Sequence, residues 1–255
     1  MNSRILVTGL LLTAWSIATC AAQDITLAAA ASLTDVLFQI QDDAQNAVGA
    51  QIFVNLGLSA TLRRQIEEGA PVDVFFSAAR EDMEALAREG FIIAGSRRDF
   101  IRDSLVLVGE PGMKPAAGPQ DMQYLVKSAH AIAMCSPDSA PAGRYALEAL
   151  KKYGMYDSAK TRLALGGSFR EVLQFVQNRS APLGFLFFTD ALSALRAGSV
   201  VSIFRFPTET FSEPIAYPVA VTTASRNKSK AEKLIEFLQG DVARSAFEKA
   251  GFEVP

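Results

Sequence analysis

Cysteine is almost missing from this 255-residue chain, which has two, Cys20 and Cys135. Cys20 falls in a leader-like N-terminus, so one cysteine would remain after processing and no intramolecular disulfide could form. An exported chain of about 230 residues without such staples must bury a real core. Histidine is scarcer still: His130 stands alone, with no cysteine or carboxylate motif beside it, and is read as structural. No CxxC, HExxH, Walker-type glycine loop or G-x-S-x-G elbow occurs. Metal hydrolysis, nucleotide binding and Ser–His–Asp chemistry therefore have no sequence support. A charge excess of one sign is also lacking. Once Arg4 is removed, 24 basic residues face 27 acidic ones, which argues against a nucleic-acid or anionic-membrane surface. Sequence repeats and low-complexity tracts are absent too.

No apolar run is long enough to span a bilayer, which takes about 20 residues. The longest, 5–17, follows Arg4 and leads to small residues ending at Ala22. That order is expected for a secretory leader cleaved after Ala22, giving a periplasmic protein. A second reading makes Cys20 a lipid-anchored cysteine, although Thr19 precedes it where glycine or alanine is expected. Cys135, in AHAIAMCSP, reads as a small buried hydrophobe.

Strand-like runs alternate with helical patterns: 25–29 then 33–47, 51–55 then 61–68, 72–77 then 80–89, 105–109, 129–135 then 143–153, 162–165 then 169–178, and 183–187 then 190–197. This predicts an α/β protein with mainly parallel sheets. Two further strands are expected at 201–206 and 215–222, with Pro218 placing the latter near an edge or crossover. An amphipathic helix is expected at 228–238. The segment 110–120 (EPGMKPAAGPQ) reads as a loop.

Ligands of such sheets lie beyond the carboxyl ends of the strands. Five small-residue turns fall there: AAAASLTDVL, NLGLSATLRRQI, SAPAGRYALEAL, LGGSFREVLQF and APLGFLFFTDAL. Helix N-termini offer unpaired N–H groups and about half a positive charge, so together they form an anion site without lysine, arginine or metal. Taken singly each is ordinary. Ser32 with Asp35 makes a capping pattern, and Ser59 repeats the arrangement. Pro141 and Gly143 set the third turn around Ala142. Arg170 is more often a surface residue than a ligand, Asp190 looks like a helix cap, and Asp73 is a candidate to pair at a hinge.

These segments, with SLVLV, YPVAV and FEKAGFEV, resemble the periplasmic molybdate-binding proteins of ABC transporters over essentially the whole mature chain. The resemblance implies a two-lobed type II periplasmic binding fold, each lobe a mainly parallel sheet flanked by helices, with the ligand in the cleft between them. It implies a leader at 1–22, one lobe from 23–103 plus 216–255 and another from 104–215, joined by hinge strands near 103–109 and 207–217. The ligand positions it implies are Ser32 and Ser59 through hydroxyl and N–H, Ala142 and Phe169 through N–H, and Phe187 where the family usually has a tyrosine. Phenylalanine cannot donate, so a hydrogen bond is lost there or supplied by Thr189, Ser168 or water. The implied cargo is molybdate or tungstate held as an oxyanion, with no bare metal-ion ligand and no cofactor. The implied partner is a membrane permease, and the expected state is a monomer that is not an enzyme. Two alternatives stand beside this: a paralogue taking another tetrahedral oxyanion such as sulfate or chromate, and an exported hydrolase of phosphate or sulfate esters with Ser32 or Ser59 as nucleophile. The hydrolase lacks an evident general base.

Overall fold

The computed structural model describes residues 24–255 apart from Ser139. The leader at 1–22 and Cys20 lie outside the described residues. Ten strands are formed: β1 (Ile25–Ala30), β2 (Ile52–Gly57), β3 (Val74–Phe76), β4 (Arg98–Arg102), β5 (Leu105–Gly109), β6 (Ile132–Cys135), β7 (Leu163–Gly166), β8 (Leu183–Phe187), β9 (Val201–Arg205) and β10 (Ala216–Val221). The helices are α1 (Thr34–Gln39), α2 (Gln41–Val48), α3 (Ser59–Glu67), α4 (Arg80–Arg88), α5 (Pro119–Ser128), α6 (Pro141–Lys152), α7 (Tyr156–Ala159), α8 (Phe169–Gln177), α9 (Phe188–Arg196), α10 (Lys228–Gln239) and α11 (Asp241–Lys249).

The strands make two five-stranded sheets of the same plan, ordered β2-β1-β3-β10-β4 and β7-β6-β8-β5-β9. In the first, β1 runs parallel to β2 and β3, and β10 is antiparallel to its neighbours β3 and β4. In the second, β6 is parallel to β7 and β8, and β5 is antiparallel to β8 and β9. Each sheet is therefore mainly parallel with one reversed strand, and that strand is the one by which the chain enters from the other sheet. The crossings are the Asp103–Ser104 step between β4 and β5 and the segment 206–215 between β9 and β10.

Both faces of the first sheet are covered, which is why its inner strands read as continuous apolar runs rather than alternating ones. Ala28, Phe75 and Ala220 point to one side, in a cluster with Leu62, Ile66, Met83 and Leu86 of α3 and α4. Leu27, Ala29, Val74 and Phe76 belong to the larger cluster with Leu37, Ala44, Leu234 and Leu238. Phe76, Phe100 and Phe247 meet there with centroids 5.2–6.0 Å apart.

The local structure adds to or departs from these expectations in several places. The helix expected at 33–47 is two helices, broken at Ile40 (φ −103°, ψ 4°). Gln41 donates to the Ile52 carbonyl and Gln45 accepts the Ile52 N–H, both at 3.0 Å, so bonds to β2 fix the break. β4, too charged to read as a strand, forms the sheet edge and buries only Phe100 and Ile101, as charged edge strands do. The expected loop 110–120 gives up its last two residues to α5, which begins at Pro119 where a proline costs a helix no hydrogen bond. Pro218 lies, as expected, near an edge and a crossing, in β10 beside the edge strand β4 and just after the 206–215 segment, where the register shifts between Tyr217 and Pro218. That bulge absorbs the missing N–H.

Candidate functional site

Strand direction places the five turns in two groups. β1 and β2 end side by side, Ala30 opposite Gly57, so the segments that follow carry Ser32 and Ser59 out at one end of the first sheet. In the second sheet β6 lies between β7 and β8, and the residues after their carboxyl ends lead to Ala142, Phe169 and Phe187.

Neither serine spends its hydroxyl on a helix cap. Ser32 lies in the 3-10 turn Ala31–Leu33, and no side-chain cap bond forms there or at the start of α1. The capping reading of Ser32 is thus overturned. It is exposed, and its Oγ donates to the Tyr217 hydroxyl at 3.5 Å. Ser59 is the first residue of α3, again without a side-chain cap bond. Its Oγ accepts the N–H of Ala78 at 3.0 Å, which leaves the hydroxyl proton to point elsewhere.

Ala142 is buried in the first turn of α6. The Ala140 carbonyl takes the N–H groups of Gly143 and Arg144, and the Ala142 N–H, being a first-turn donor, has no intrahelical acceptor. Phe169 opens α8 behind a reciprocal cap in which Ser168 Oγ accepts the Glu171 N–H at 3.3 Å and Glu171 Oε2 accepts the Gly167 N–H at 2.8 Å. Ser168 therefore serves as the cap through its oxygen, a bond that does not use its hydroxyl proton. Arg170 is exposed, with its guanidinium 4.8 Å above the Phe169 ring.

Phe187 ends β8, buried, with its ring 6.0 Å from that of Tyr145. The Tyr145 hydroxyl donates to the Pro214 carbonyl at 3.3 Å. Thr189 is committed to Asp103, donating its hydroxyl to Oδ2 at 2.6 Å. Asp103 also accepts the N–H groups of Ser104 and Thr189, and so pins the first crossing to the start of α9. A single exposed ion pair, Arg144 to Glu81 at 3.9 Å, joins the N-terminal turns of α6 and α4. Pairs of that exposure contribute little stability.

Behind these groups sit two unusual carboxyls. Burial pushes Asp103 up to about 6 from an ordinary 3.8, against the pull of its Thr189 and Ser104 hydrogen bonds. Burial, helped by the charge of Asp103, pushes Asp190 up to about 8. Asp190 is the third residue of α9, whose N-cap is Phe187 without a side-chain bond, so it is not the cap that its sequence suggests. Both pKa values exceed those of the unfolded chain, so the folded state holds protons that the unfolded state has released above about pH 4. Stability therefore falls as pH rises from about 4 to about 8. Asp190→Asn is expected to melt several degrees above the native protein at pH 9 and close to it at pH 4 (about 2–4 °C per kcal/mol for a chain of this size). Parallel melting curves across that range would refute the assignment.

Cys135 is buried at the end of β6, and burial raises its thiol to about 11, in keeping with a hydrophobe rather than a nucleophile. His130 is exposed just before β6. Among the described residues no group of three or more His, Cys, Asp or Glu is placed to hold a metal ion, and no helix is long and apolar enough to cross a membrane.

Two reversed-strand crossings and a set of neutral donors at the strand ends of both sheets define a two-lobed solute-binding architecture. The chain belongs to the bacterial extracellular solute-binding protein family, whose model matches residues 25–253. It is 31% identical over 252 residues to the molybdate-binding protein ModA of Haemophilus influenzae, covering 96% of each chain. To ModA of Escherichia coli it is 31% identical over 239 residues, 90% of this chain and 89% of that one. A substrate-binding domain from Clostridium difficile superposes with a TM-score of 0.78 at 30% identity, over 91% of this chain and 99% of the other. The fold is thus the type II periplasmic binding fold with two lobes.

Sequence reasoning missed the contact between Tyr217 and Ser32. The signal was present in YPVAV, a hydroxyl-bearing aromatic beside a proline that forces a bulge, but it reads as core until β10 is paired.

Proposed function

We propose that this chain is the binding protein of an ABC importer and captures molybdate or tungstate between its lobes, handing it to a membrane permease. The observation that carries the reading is the pair of serines after neighbouring parallel strands, Ser32 and Ser59, whose hydroxyls cap no helix. The names of the relatives supply the cargo. On this reading Ser32 and Ser59 donate hydroxyl and N–H, and Ala142 and Phe169 donate N–H from helix starts. Phe187 contributes an apolar wall. A hydrated dianion exchanges its water shell for fixed dipoles that need no rearrangement. Hydrogenphosphate would bring a proton to a site built of donors, and discrimination against the smaller sulfate would rest on donor placement and cavity size. The chain works as a periplasmic monomer, needs no cofactor and turns over no substrate.

Calorimetric titration of the ligand-stripped protein with molybdate, tungstate, sulfate, phosphate and chromate tests this. Tight one-to-one binding of molybdate and tungstate with sulfate silent is the expected result. Ser59→Ala removes a donor to a charged ligand, worth about 1.5–3 kcal/mol, so molybdate affinity should fall about 10- to 150-fold. Silence towards molybdate would sink the assignment. Preference for sulfate or chromate would instead favour a second reading, a paralogue for another oxyanion, for which the apolar Phe187 is the motivating observation.

A further inference from the structure

We infer that Tyr217 is a positioning residue for the bound anion, its hydroxyl holding Ser32 in the orientation that donates to the ligand. The inference rests on the binding role proposed above. Tyr217 is only 1% exposed and its ring is fixed edge-on by Phe252, centroids 5.2 Å apart at 76°. The strand shift between Tyr217 and Pro218 sets where that ring points. The hydroxyl partner recorded for Tyr217 is Ser32 Oγ at 3.5 Å.

Two hydroxyls beside Phe187 spend their protons elsewhere. Thr189 donates to Asp103 and Tyr145 donates to Pro214, whereas Ser168 Oγ only accepts at the start of α8 and keeps its own proton. Tyr217 acts on the donor set through Ser32, the hydroxyl it faces. A hydroxyl carries one proton and two acceptor sites. When Ser32 turns its proton to an oxyanion, its oxygen is freed to accept from Tyr217, and the two bonds in series polarise one another. Burial and the nearby charges of Asp103 and Asp190 keep the Tyr217 phenol protonated far above its ordinary range, so it stays a donor.

Molybdate titration of the full mature chain, Tyr217→Phe, Ser32→Ala and the double variant is the test. Tyr217→Phe keeps the ring and should bind about 10-fold more weakly, with the ligand-free melting temperature nearly unchanged. The double variant should bind no more weakly than Ser32→Ala alone, since a positioning residue has nothing left to position. A merely structural tyrosine would lower the melting temperature and add its effect to that of Ser32→Ala, and either that additivity or native affinity in Tyr217→Phe overturns the inference while the binding role stands. A native chain that binds neither molybdate nor tungstate overturns the binding role itself, and this inference with it.

Discussion

Gly143→Ala is expected to weaken molybdate binding by about 100-fold or more and to lower the melting temperature of the protein. Gly143 is the third residue of α6, next to Ala142. A Cβ there would lie 2.3 Å from the Cys135 carbonyl oxygen, 2.7 Å from the Ser136 carbonyl carbon and 2.8 Å from the Pro137 nitrogen. All three are backbone atoms, so no side chain can swing away. The helix start must instead retreat from the loop after β6. Overpacking of this kind costs about 1–3 kcal/mol, sometimes more. The larger effect falls on binding, because the retreat carries the Ala142 N–H with it, and a displacement of about 1 Å at a positioned group can cost about 100-fold. Thermal melting and titration on the same preparation measure both. Native affinity in this variant would show that the α6 start does not touch the anion.

Asp73→Ala should have the opposite profile, a large loss of stability with molybdate affinity unchanged below the melting transition. Asp73 is buried, and its carboxylate accepts the Thr26 N–H at 2.9 Å and the Ser225 hydroxyl at 2.7 Å. Its own N–H goes to the Thr26 carbonyl, and its carbonyl accepts from Thr222. One side chain thus ties β1 to the turn after β10. The expectation that Asp73 pairs at a hinge is corrected: it works inside the first lobe, and the crossing carboxylate is Asp103. Alanine would strand two buried donors at about 1–3 kcal/mol each, and the melting temperature should drop by about 5–15 °C. Thr26 is at the start of β1 and Ser32 lies beyond its end, about 20 Å away at the usual rise per strand residue. A change in affinity as large as the change in stability would contradict that separation.

Most of the fold was legible because its signals are local. Apolar runs at 105–109 and 183–187 coincide with β5 and β8 to the residue, since a strand covered on both faces tolerates nothing polar. β4 was not legible, because two buried residues among three charged ones, RDFIR, carry no strand pattern until β10 pairs with them. The break at Ile40 was hidden for a similar reason, as the side chains that make it bond to β2 rather than to their own helix.

The candidate site divides along the same line. Small residues at 32, 59 and 142, and the glycines and serine just before Phe169, were visible as turns between runs, since close backbone approach and helix starts have their own residue requirements. Whether a serine there caps a helix was not visible. Ser168 does and Ser32 does not, although both stand three residues before an acid.

By itself, then, the sequence determined the alternation of strands and helices and the turns that interrupt it, because each follows from short-range patterns of apolar and small residues. Only the tertiary structure decided which hydroxyls are occupied, that Tyr217 reaches Ser32 across 185 positions of chain, and that burial with the nearby charge of Asp103 raises the proton affinity of Asp190. Those facts depend on contacts between residues distant in the chain, which no local pattern encodes.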